Sequence, residues 1–377
     1  MPRIIVCLVL FAMPLSLAFS QATTSETEKV RQLIQTGKYV EAEALGKVQV
    51  AKTPNDPEAN YQLGRAIFYQ DKFAEALPIF EKVASLLPTF AGAPKFIGDC
   101  HFGLGRFDQA ERAYAKAMEL DPKAPEYVLD RAKALMKLGK PSDAEAGFRK
   151  SLDLDPNYIP AMFAYTNFLA DDGRYREAEG LLTKALALDA KSAYGWSVMG
   201  DVLRKQKSYT RSEDAYYQAL DLDPKRLRAL DGLSKLFMAQ ELFKDAEDVT
   251  RKLIEADPNG LPYYLRLANL IDELRRYPES EAIYQKLIKD HPKYADPYVD
   301  YGVSLWRQEK NKEAEEQFKA GIAVDPKRAW FHYTYGNFLR QSKRLKEARS
   351  AFEEALKLEP NYKEAKDRLD MVKLEIG

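Results

Sequence analysis

The chain has 377 residues, and its 57 basic residues equal its 57 acidic residues in number. This balance argues against a dedicated nucleic-acid binder, which usually carries a basic excess, and against an acidic disordered tail. Two cysteines and three histidines exclude a disulfide-rich scaffold and leave little room for a metal site. We therefore expect no metal, no cofactor and no nucleic-acid partner.

Residues 1–20 have the layout of a secretory signal peptide: a basic start, an apolar stretch ending at Leu17 and small residues before the cut. We expect cleavage after Ser20 or after Ala22, and an extracytoplasmic protein, either periplasmic or secreted. The alternative is an uncleaved anchor, but the apolar stretch is shorter than the ~20 residues that span a bilayer, and Pro14 interrupts it. No later segment is apolar enough to span a membrane, so we expect no span after cleavage.

A proline recurs every 34 residues along the rest of the chain. The series is Pro54, Pro88, Pro122, Pro156, Pro224, Pro258, Pro292, Pro326 and Pro360, and Ala190 stands in its one gap. Proline makes up only 20 of the 377 residues, so chance does not explain this series. Self-similarity at a fixed period of this length is the signature of a repeat array.

Counted from residue 23, ten units of 34 residues share further positions. Position 8 is mostly small, position 20 is alanine or serine, and position 24 is mostly aromatic. The residues at position 24 are Gly46, Phe80, Tyr114, Phe148, Leu182, Tyr216, Thr250, Tyr284, Phe318 and Phe352. We predict that the small side chains let two helices approach closely and that the aromatic ring fills the adjoining space.

Each unit has the pattern of two helices joined by a short turn. In the second unit, apolar residues recur at the helix period on both sides of a polar turn at residues 70–72. Proline at position 32 ends the second helix, because it lacks an N–H donor and restrains the residue before it. One helix pair cannot bury its apolar faces alone, whereas stacked neighbours can. The sequence therefore predicts an all-α stack of antiparallel helix pairs.

This pattern resembles the tetratricopeptide repeat family, whose 34-residue unit opens with W-x2-L-G-x2-Y. Trp196 with Gly200, and Tyr301 with Gly302, stand in that frame. The resemblance covers residues 23–362. It implies a right-handed superhelical solenoid with a concave groove, and a role in protein–protein interaction instead of chemistry.

The expected organisation has three segments. They are a signal peptide at 1–20, a ten-unit solenoid at 23–362 and a C-terminal capping helix at 363–377. In the last segment an apolar stripe of Ala365, Leu369, Val372 and Ile376 is surrounded by charged residues, as expected of a cap with a polar outer face.

In this family the first helix of each pair lines the groove through positions 2, 5, 6, 9, 12 and 13. Carried over by position, the candidate partner-binding residues are Tyr61, Arg65, Tyr69, Lys95, Asp99, Lys133, Asn167, Tyr194, Arg204, Arg228, Arg266, Asn269, Trp306, Arg307, Trp330, Tyr333, Asn337 and Arg340. Aromatic and arginine residues are frequent interface hot spots. The competing interpretation of any one aromatic is that it is partly buried in the core.

No catalytic or metal-binding motif accompanies the repeats. The stretch at 195–200 resembles a nucleophile elbow but has one residue too many and lies inside a predicted helix. We expect Cys100 to pack as a small hydrophobe and the adjacent His101 to have a satisfied hydrogen bond in the core. Some family members clamp a C-terminal carboxylate with lysine at position 5 and asparagine at position 9, but Lys95 is followed by Asp99. That clamp is therefore absent.

The repeats and the signal peptide together predict an exported, non-enzymatic scaffold that binds a protein or peptide in its groove. The alternative is an accessory or assembly factor of an envelope secretion or polysaccharide-processing system, with any catalysis supplied by a partner. Binding of single-stranded RNA by helical repeats is disfavoured by the balanced charges and by export. The partner, the pathway and the oligomeric state stay open.

Overall fold

A computed structural model describes residues 25–376, and every regular element in this range is an α-helix. Within this range the chain divides after Ala190 into two compact parts, residues 25–190 and 191–376, called here the N-terminal part and the C-terminal part. The predicted signal peptide and its cleavage sites lie outside the described residues. Within 25–376, no helix combines the length and the apolar character that crossing a membrane requires.

The described residues of the N-terminal part form five helix pairs. The helices are α1 (Ser25–Gln35), α2 (Tyr39–Lys52), α3 (Pro57–Phe68), α4 (Phe73–Leu86), α5 (Gly92–Gly103), α6 (Phe107–Leu120), α7 (Pro125–Lys137), α8 (Pro141–Leu154), α9 (Ile159–Asp171) and α10 (Tyr175–Leu188). The two helices of each pair pack against each other, and α2, α4, α6 and α8 also pack against the first helix of the following pair.

The C-terminal part repeats this arrangement and adds one more helix. Its helices are α11 (Ala193–Lys205), α12 (Tyr209–Leu222), α13 (Leu227–Ala239), α14 (Phe243–Ala256), α15 (Leu261–Glu273), α16 (Tyr277–Asp290), α17 (Asp296–Arg307), α18 (Asn311–Val324), α19 (Ala329–Gln341), α20 (Leu345–Leu358) and α21 (Lys363–Ile376). Helix α21 packs on α20 and buries Ala365, Leu369 and Val372. Ile376, which the sequence placed on the same stripe, is exposed.

The chain reverses direction within each pair at a residue with a left-handed backbone, always at position 15 of the unit. These residues are Gly37, Asp71, Gly105, Gly139, Gly173, Lys207, Glu241, Arg275, Glu309 and Lys343, with φ between 59° and 79°. Glycine adopts this conformation readily, whereas a side chain is strained by it. The predicted turn at residues 70–72 is confirmed, because α3 ends at Phe68 and α4 begins at Phe73.

The predicted contact between positions 8 and 24 is present in both parts of the chain. A Cβ atom added to Gly98 would lie 2.5 Å from the ring of Tyr114, and one added to Gly200 would lie 2.5 Å from the ring of Tyr216. Gly64 lies in the same way against the ring of Phe80. In these three units the absence of a side chain at position 8 makes room for the buried ring, whereas the units of the buried Phe148 and Tyr284 have alanine at position 8, Ala132 and Ala268.

Where position 24 is not aromatic, the side chains at positions 8 and 24 still fill the same space between the two helices. Where position 24 holds the smaller Thr250, position 8 holds Ser234, and the two buried hydroxyls form a hydrogen bond of 2.8 Å. Where position 24 holds Leu182, position 8 holds Thr166, and both side chains are fully buried. A larger residue at position 8 thus accompanies a smaller one at position 24.

Ion pairs connect the second helix of one unit to the start of the second helix of the next unit. A basic residue at position 16 meets a glutamate at position 21 of the preceding unit. The pairs are Lys72–Glu43 at 2.9 Å, and Arg174–Glu145, Arg276–Glu247, Lys310–Glu281 and Arg344–Glu315 at 2.7 Å. These contacts add electrostatic ties between neighbouring units to the apolar core.

Candidate functional site

The candidate site is the first-helix face, defined as positions 2, 5, 6, 9, 12 and 13 of the first helix in each unit. Every candidate partner-binding residue lies on a first helix, apart from Tyr69, which is the C-cap residue of α3. Most of these side chains are half-buried. The side chains of the face are therefore packed against the core near the helix and reach solvent at their ends.

In the N-terminal part, the guanidinium of Arg65 lies over two tyrosine rings. It is 5.7 Å from the ring centre of Tyr61 and 5.8 Å from that of Tyr69. Tyr61 is only 7% exposed and packs edge-on against Phe90 and Phe96, so it belongs to the core and not to the open surface. Burial raises the pKa of Tyr61 to about 12, so its phenol is neutral near pH 7.

Lys95 and Asp99 form an ion pair on α5 with an N–O distance of 2.5 Å. Asp130 of α7 lies 4.0 Å from the same ammonium and 3.0 Å from that of Lys133. Burial alone would lower the pKa of Lys95, but Asp99 and Asp130 outweigh burial and raise it. The predicted balance of charges on this face is thus realised as direct ion pairs.

In the C-terminal part, Tyr194 of α11 is flanked by two guanidinium groups. Arg226 and Arg228 each lie 5.4 Å from its ring centre. Arg228 also donates from Nε to Asp201 at 2.7 Å. The sequence placed Tyr194 and Arg228 on this face, whereas Arg226, at the N-cap of α13, was missed because it stands outside the family's groove positions.

Tyrosines at position 24 reach from the second helix to the polar side chain at position 9 of the first. Tyr114 donates to Asp99 at 2.9 Å, Tyr216 to Asp201 at 2.7 Å, and Tyr284 to Asn269 at 2.5 Å. Arg204 donates to the hydroxyl of Tyr216 at 3.4 Å. Sequence reasoning assigned these tyrosines to the core alone. The available signal was that each tyrosine at position 24 stands in a unit with an aspartate or asparagine at position 9, although Asn167 and Asn337 stand in units with Leu182 and Phe352 at position 24.

Asp231 of α13 accepts hydrogen bonds from two basic side chains. Lys235 donates at 2.6 Å, and Arg266 of α15 donates at 2.7 Å. Burial by itself would raise the pKa of Asp231, but the two cations outweigh burial and lower it. Arg266 therefore joins the faces of two consecutive units.

Asn269 and Arg307 contact carboxylates farther along the C-terminal part. Asn269 donates to Asp300 at 2.8 Å, and burial raises the pKa of Asp300 to about 6. Arg307 lies 3.0 Å from Asp272 and 2.8 Å from Glu273. Both candidate residues therefore have polar partners on the first helix of a neighbouring unit.

The last candidate aromatics differ in how far they reach solvent. Trp306 packs edge-on against Phe338 with 5.7 Å between ring centres, and Tyr333 lies 5.1 Å from Tyr362. Trp330 is 38% exposed. Trp330 is therefore the aromatic candidate in this part with the largest accessible surface suited to a partner.

The remaining polar candidates lie at position 9 or 12. Arg340 donates from Nε to Glu375 of α21 at 3.0 Å. Asn167 on α9 and Asn337 on α19 are half-buried. The structure thus places Arg340 at the junction of the last pair with α21.

The Cys100–His101 pair behaves only partly as the sequence predicts. Cys100 is fully buried in an apolar cluster, and burial raises the pKa of its thiol to about 12, so packing as a small hydrophobe is confirmed. Nδ1 of His101 is enclosed without a hydrogen-bond partner, so the prediction of a satisfied hydrogen bond is wrong. No group of three or more potential metal ligands occurs among residues 25–376.

A cleft of about 330 Å³ lies away from the first-helix face, between α6, α7 and α8. Its lining includes Val128 and Leu135 of α7 and Gly147 of α8, which occupy none of the face positions. None of the candidate partner-binding residues lines it.

Sequence comparison with family models agrees with the helical pattern. Models described as tetratricopeptide repeat match residues 68–133, 102–150, 135–202, 193–226, 263–294 and 300–363, which together span more than half of the chain. No curated protein matches the sequence.

Solved structures with a similar fold are also repeat proteins. A tetratricopeptide repeat protein from Parabacteroides merdae matches with a TM-score of 0.56 and 18% identity, over 67% of this chain and 99% of that one. Yeast Tom70 matches with a TM-score of 0.52 and 15% identity, over 93% and 88% of the two chains. PilW, a type IV pilus biogenesis factor, matches with a TM-score of 0.50 and 20% identity, over 54% and 94%. At these identities the likeness concerns the fold alone. The family models and the all-α repeat architecture together identify the chain as a member of the tetratricopeptide repeat family.

Proposed function

We propose that this protein is an exported, non-enzymatic scaffold that holds a protein or peptide segment against its first-helix face. Its tetratricopeptide repeat fold is suited to protein–protein interaction. The observation that carries the proposal is the composition of this face, where half-buried arginines and aromatics recur from α3 to α19. Such side chains offer large, partly immobilised contact area and directed hydrogen bonds.

The rigidity of the face supports binding rather than catalysis. Arg228, Arg266 and Arg307 are each held by a carboxylate, so their side chains are ordered before a partner arrives. Ordering in advance reduces the conformational entropy lost on association. The same pairing offsets the charge of these three arginines, which weakens the attraction of this part of the face for nucleic acid.

Export is supported by the sequence of residues 1–20 alone, which has the signal-peptide layout. N-terminal sequencing of the protein recovered from its native cells tests this point. A first residue of Gln21 or Thr23 is expected, and an intact Met1 in the cytoplasmic fraction would contradict export. A partner from an envelope secretion or polysaccharide-processing system would favour the assembly-factor role over a general scaffold.

The binding role is tested by affinity capture from envelope extract and medium, followed by mass spectrometry. The informative pair of variants replaces two exposed aromatics of similar accessibility, Trp330→Ala on the first-helix face and Tyr217→Ala on α12, a second helix. Trp330 is 38% exposed and Tyr217 is 45% exposed. We expect Trp330→Ala to reduce capture and Tyr217→Ala to leave it unchanged. Capture of no protein, or equal loss in both variants, would refute the proposal.

A further inference from the structure

The arginines of the first-helix face are normally neutralised within the protein. The pairs are Arg31–Glu58 at 2.6 Å, Arg228–Asp201 and Arg266–Asp231 at 2.7 Å, and Arg307–Glu273 at 2.8 Å, and Arg340 pairs with Glu375. Such pairing offsets the charge of the guanidinium. Two arginines of the face depart from this pattern among residues 25–376. Arg204 donates to the hydroxyl of Tyr216 at 3.4 Å, and Arg65 has no carboxylate within ion-pair distance.

The contacts of Arg65 position its charge without neutralising it. Its Nη1 donates to the amide oxygen of Gln62 at 3.0 Å, and the rings of Tyr61 and Tyr69 flank the guanidinium. Of these three neighbours, Gln62 is an uncharged amide, and burial raises the pKa of Tyr61 to about 12, so its phenol carries no negative charge near pH 7. Nε of Arg65 is enclosed without a partner, whereas Nε of Arg228 donates to a carboxylate.

The nearest carboxylate in this network is already engaged elsewhere. Glu58 is 4% exposed, and its Oε1 accepts from Arg31 at 2.6 Å and from Gln62 at 2.8 Å. Gln62 therefore links Glu58 to Arg65, because it donates to the carboxylate of Glu58 and accepts from the guanidinium of Arg65. Three buried polar atoms of this one network have no partner: Nε of Arg31, Oε2 of Glu58 and Nε of Arg65. The network does not satisfy its own hydrogen-bonding groups.

The two tyrosine rings are themselves fixed by packing. Tyr61 lies 5.0 Å from Phe90 and 5.6 Å from Phe96, and Tyr69 stacks on Tyr39 at 5.2 Å. An arginine held between fixed rings loses little conformational freedom when it binds an anion. Its planar fork also matches the two oxygens of a carboxylate. The guanidinium of Arg65 is therefore held in position before a ligand binds.

We infer that Arg65, held between Tyr61 and Tyr69, binds a carboxylate of the protein partner. This inference rests on the proposed function and names the chemistry of one contact: an aspartate, a glutamate or a chain terminus of the partner meets Arg65. Its position on α3 places the acidic contact in the N-terminal part of the chain.

The test is a titration of the full mature chain with a hexaglutamate peptide, followed by NMR of the arginine Nε–H resonances. Hexaglutamine is the uncharged control peptide. We expect a saturable shift of the Arg65 resonance with hexaglutamate alone. Affinity should fall at least about tenfold in Arg65→Gln, which corresponds to about 1.4 kcal/mol. Arg65→Lys should also bind more weakly, because lysine keeps the charge but loses the fork and the ring contacts.

Arg149→Gln is the matched control, since Arg149 also lies over a tyrosine ring, that of Tyr165, but is ion-paired with Glu145 and lies on a second helix, α8, outside the first-helix face. It should leave hexaglutamate affinity unchanged within about twofold, a difference far below the tenfold step of 1.4 kcal/mol. Equal binding by Arg65→Gln, no binding at millimolar peptide, or tighter binding of inorganic phosphate would overturn the inference. If a captured partner binds wild type and Arg65→Gln alike, the inference fails while the scaffold function stands. If no partner is captured but hexaglutamate shifts Arg65, the scaffold function fails instead.

Discussion

Replacing Gly200 by alanine tests whether the contact between positions 8 and 24 sets the spacing of a helix pair. The ring of Tyr216 is fully buried and lies directly against Gly200 on one side and Gly232 of the next unit on the other. A Cβ at Gly200 would lie 2.5 Å from two ring carbons. An ordinary carbon–carbon contact is about 3.5–4.0 Å, so the ring must move by roughly 1 Å.

The magnitude follows from two opposing effects. Alanine favours a helix interior over glycine by about 1 kcal/mol. Overpacking a closed core costs about 1–3 kcal/mol, and the upper part of this range applies where the displaced group has nowhere to go. Tyr216 is held on its far side by Gly232 and at its hydroxyl by Asp201 at 2.7 Å. We therefore expect Gly200→Ala to lower the free energy of unfolding by about 1–2 kcal/mol.

The assay is urea-induced unfolding followed by far-ultraviolet circular dichroism, with Gly180→Ala as the matched control. Gly180 also lies in a helix, α10, but is exposed and has no neighbouring atom within 4 Å of an added Cβ. That variant should gain about 0.5–1 kcal/mol, so the two substitutions have opposite signs. In a Tyr216→Leu background the penalty of Gly200→Ala should largely disappear. An equal penalty in both backgrounds would refute the steric argument.

Three further predictions concern the left-handed residue at position 15, the ion pairs between positions 16 and 21, and His101, whose Nδ1 has no hydrogen-bond partner. Glu241→Gly should raise the free energy of unfolding by about 0.5–1 kcal/mol, because it removes a side chain from a left-handed backbone, and a lower urea midpoint would contradict this. Hydrogen bonds from basic side chains lower the pKa of Glu43, Glu145 and Glu315 from 4.5 to about 2, so their stabilisation is complete above pH 4.5 and is lost as the pH falls toward 2. Urea midpoints measured across this range should fall in wild type and fall less in Glu145→Gln. His101→Leu should raise the unfolding free energy by about 1 kcal/mol, since Nδ1 is enclosed without a partner, and a clear loss of stability would count against that explanation.

The fold was largely predictable because its strongest determinants recur at a fixed spacing. The proline series marks where second helices end, as at α6, which ends at Leu120 with Asp121 as C-cap before Pro122. The left-handed residue at position 15 was not predicted as such. Only four of the ten are glycine, and side chains such as Lys207 carry no local signal of that conformation. There the surrounding helix pair imposes the turn on the residue.

The candidate site was predictable in place but not in detail. Family positions put every candidate on or next to a first helix, yet the same pattern did not separate the buried Tyr61 from the exposed Trp330. Nor did it indicate that Arg266 would reach Asp231 of the preceding unit, 35 residues earlier. Such contacts depend on side-chain rotamers and on packing between units, which a one-dimensional pattern does not encode.

The compensation between positions 8 and 24 bears on how such a chain can lengthen or shorten during evolution. Both members of the pair lie in one 34-residue block, so duplication or loss of a whole block creates no new steric conflict at this contact. Exchange of a single residue between blocks can create a steric conflict. An example is a block that received threonine at position 8, as at Thr166, while keeping tyrosine at position 24. The ring of Tyr216 also lies directly against Gly232 in the block that follows. A block inserted after it with a side chain at that position would have to accommodate the ring.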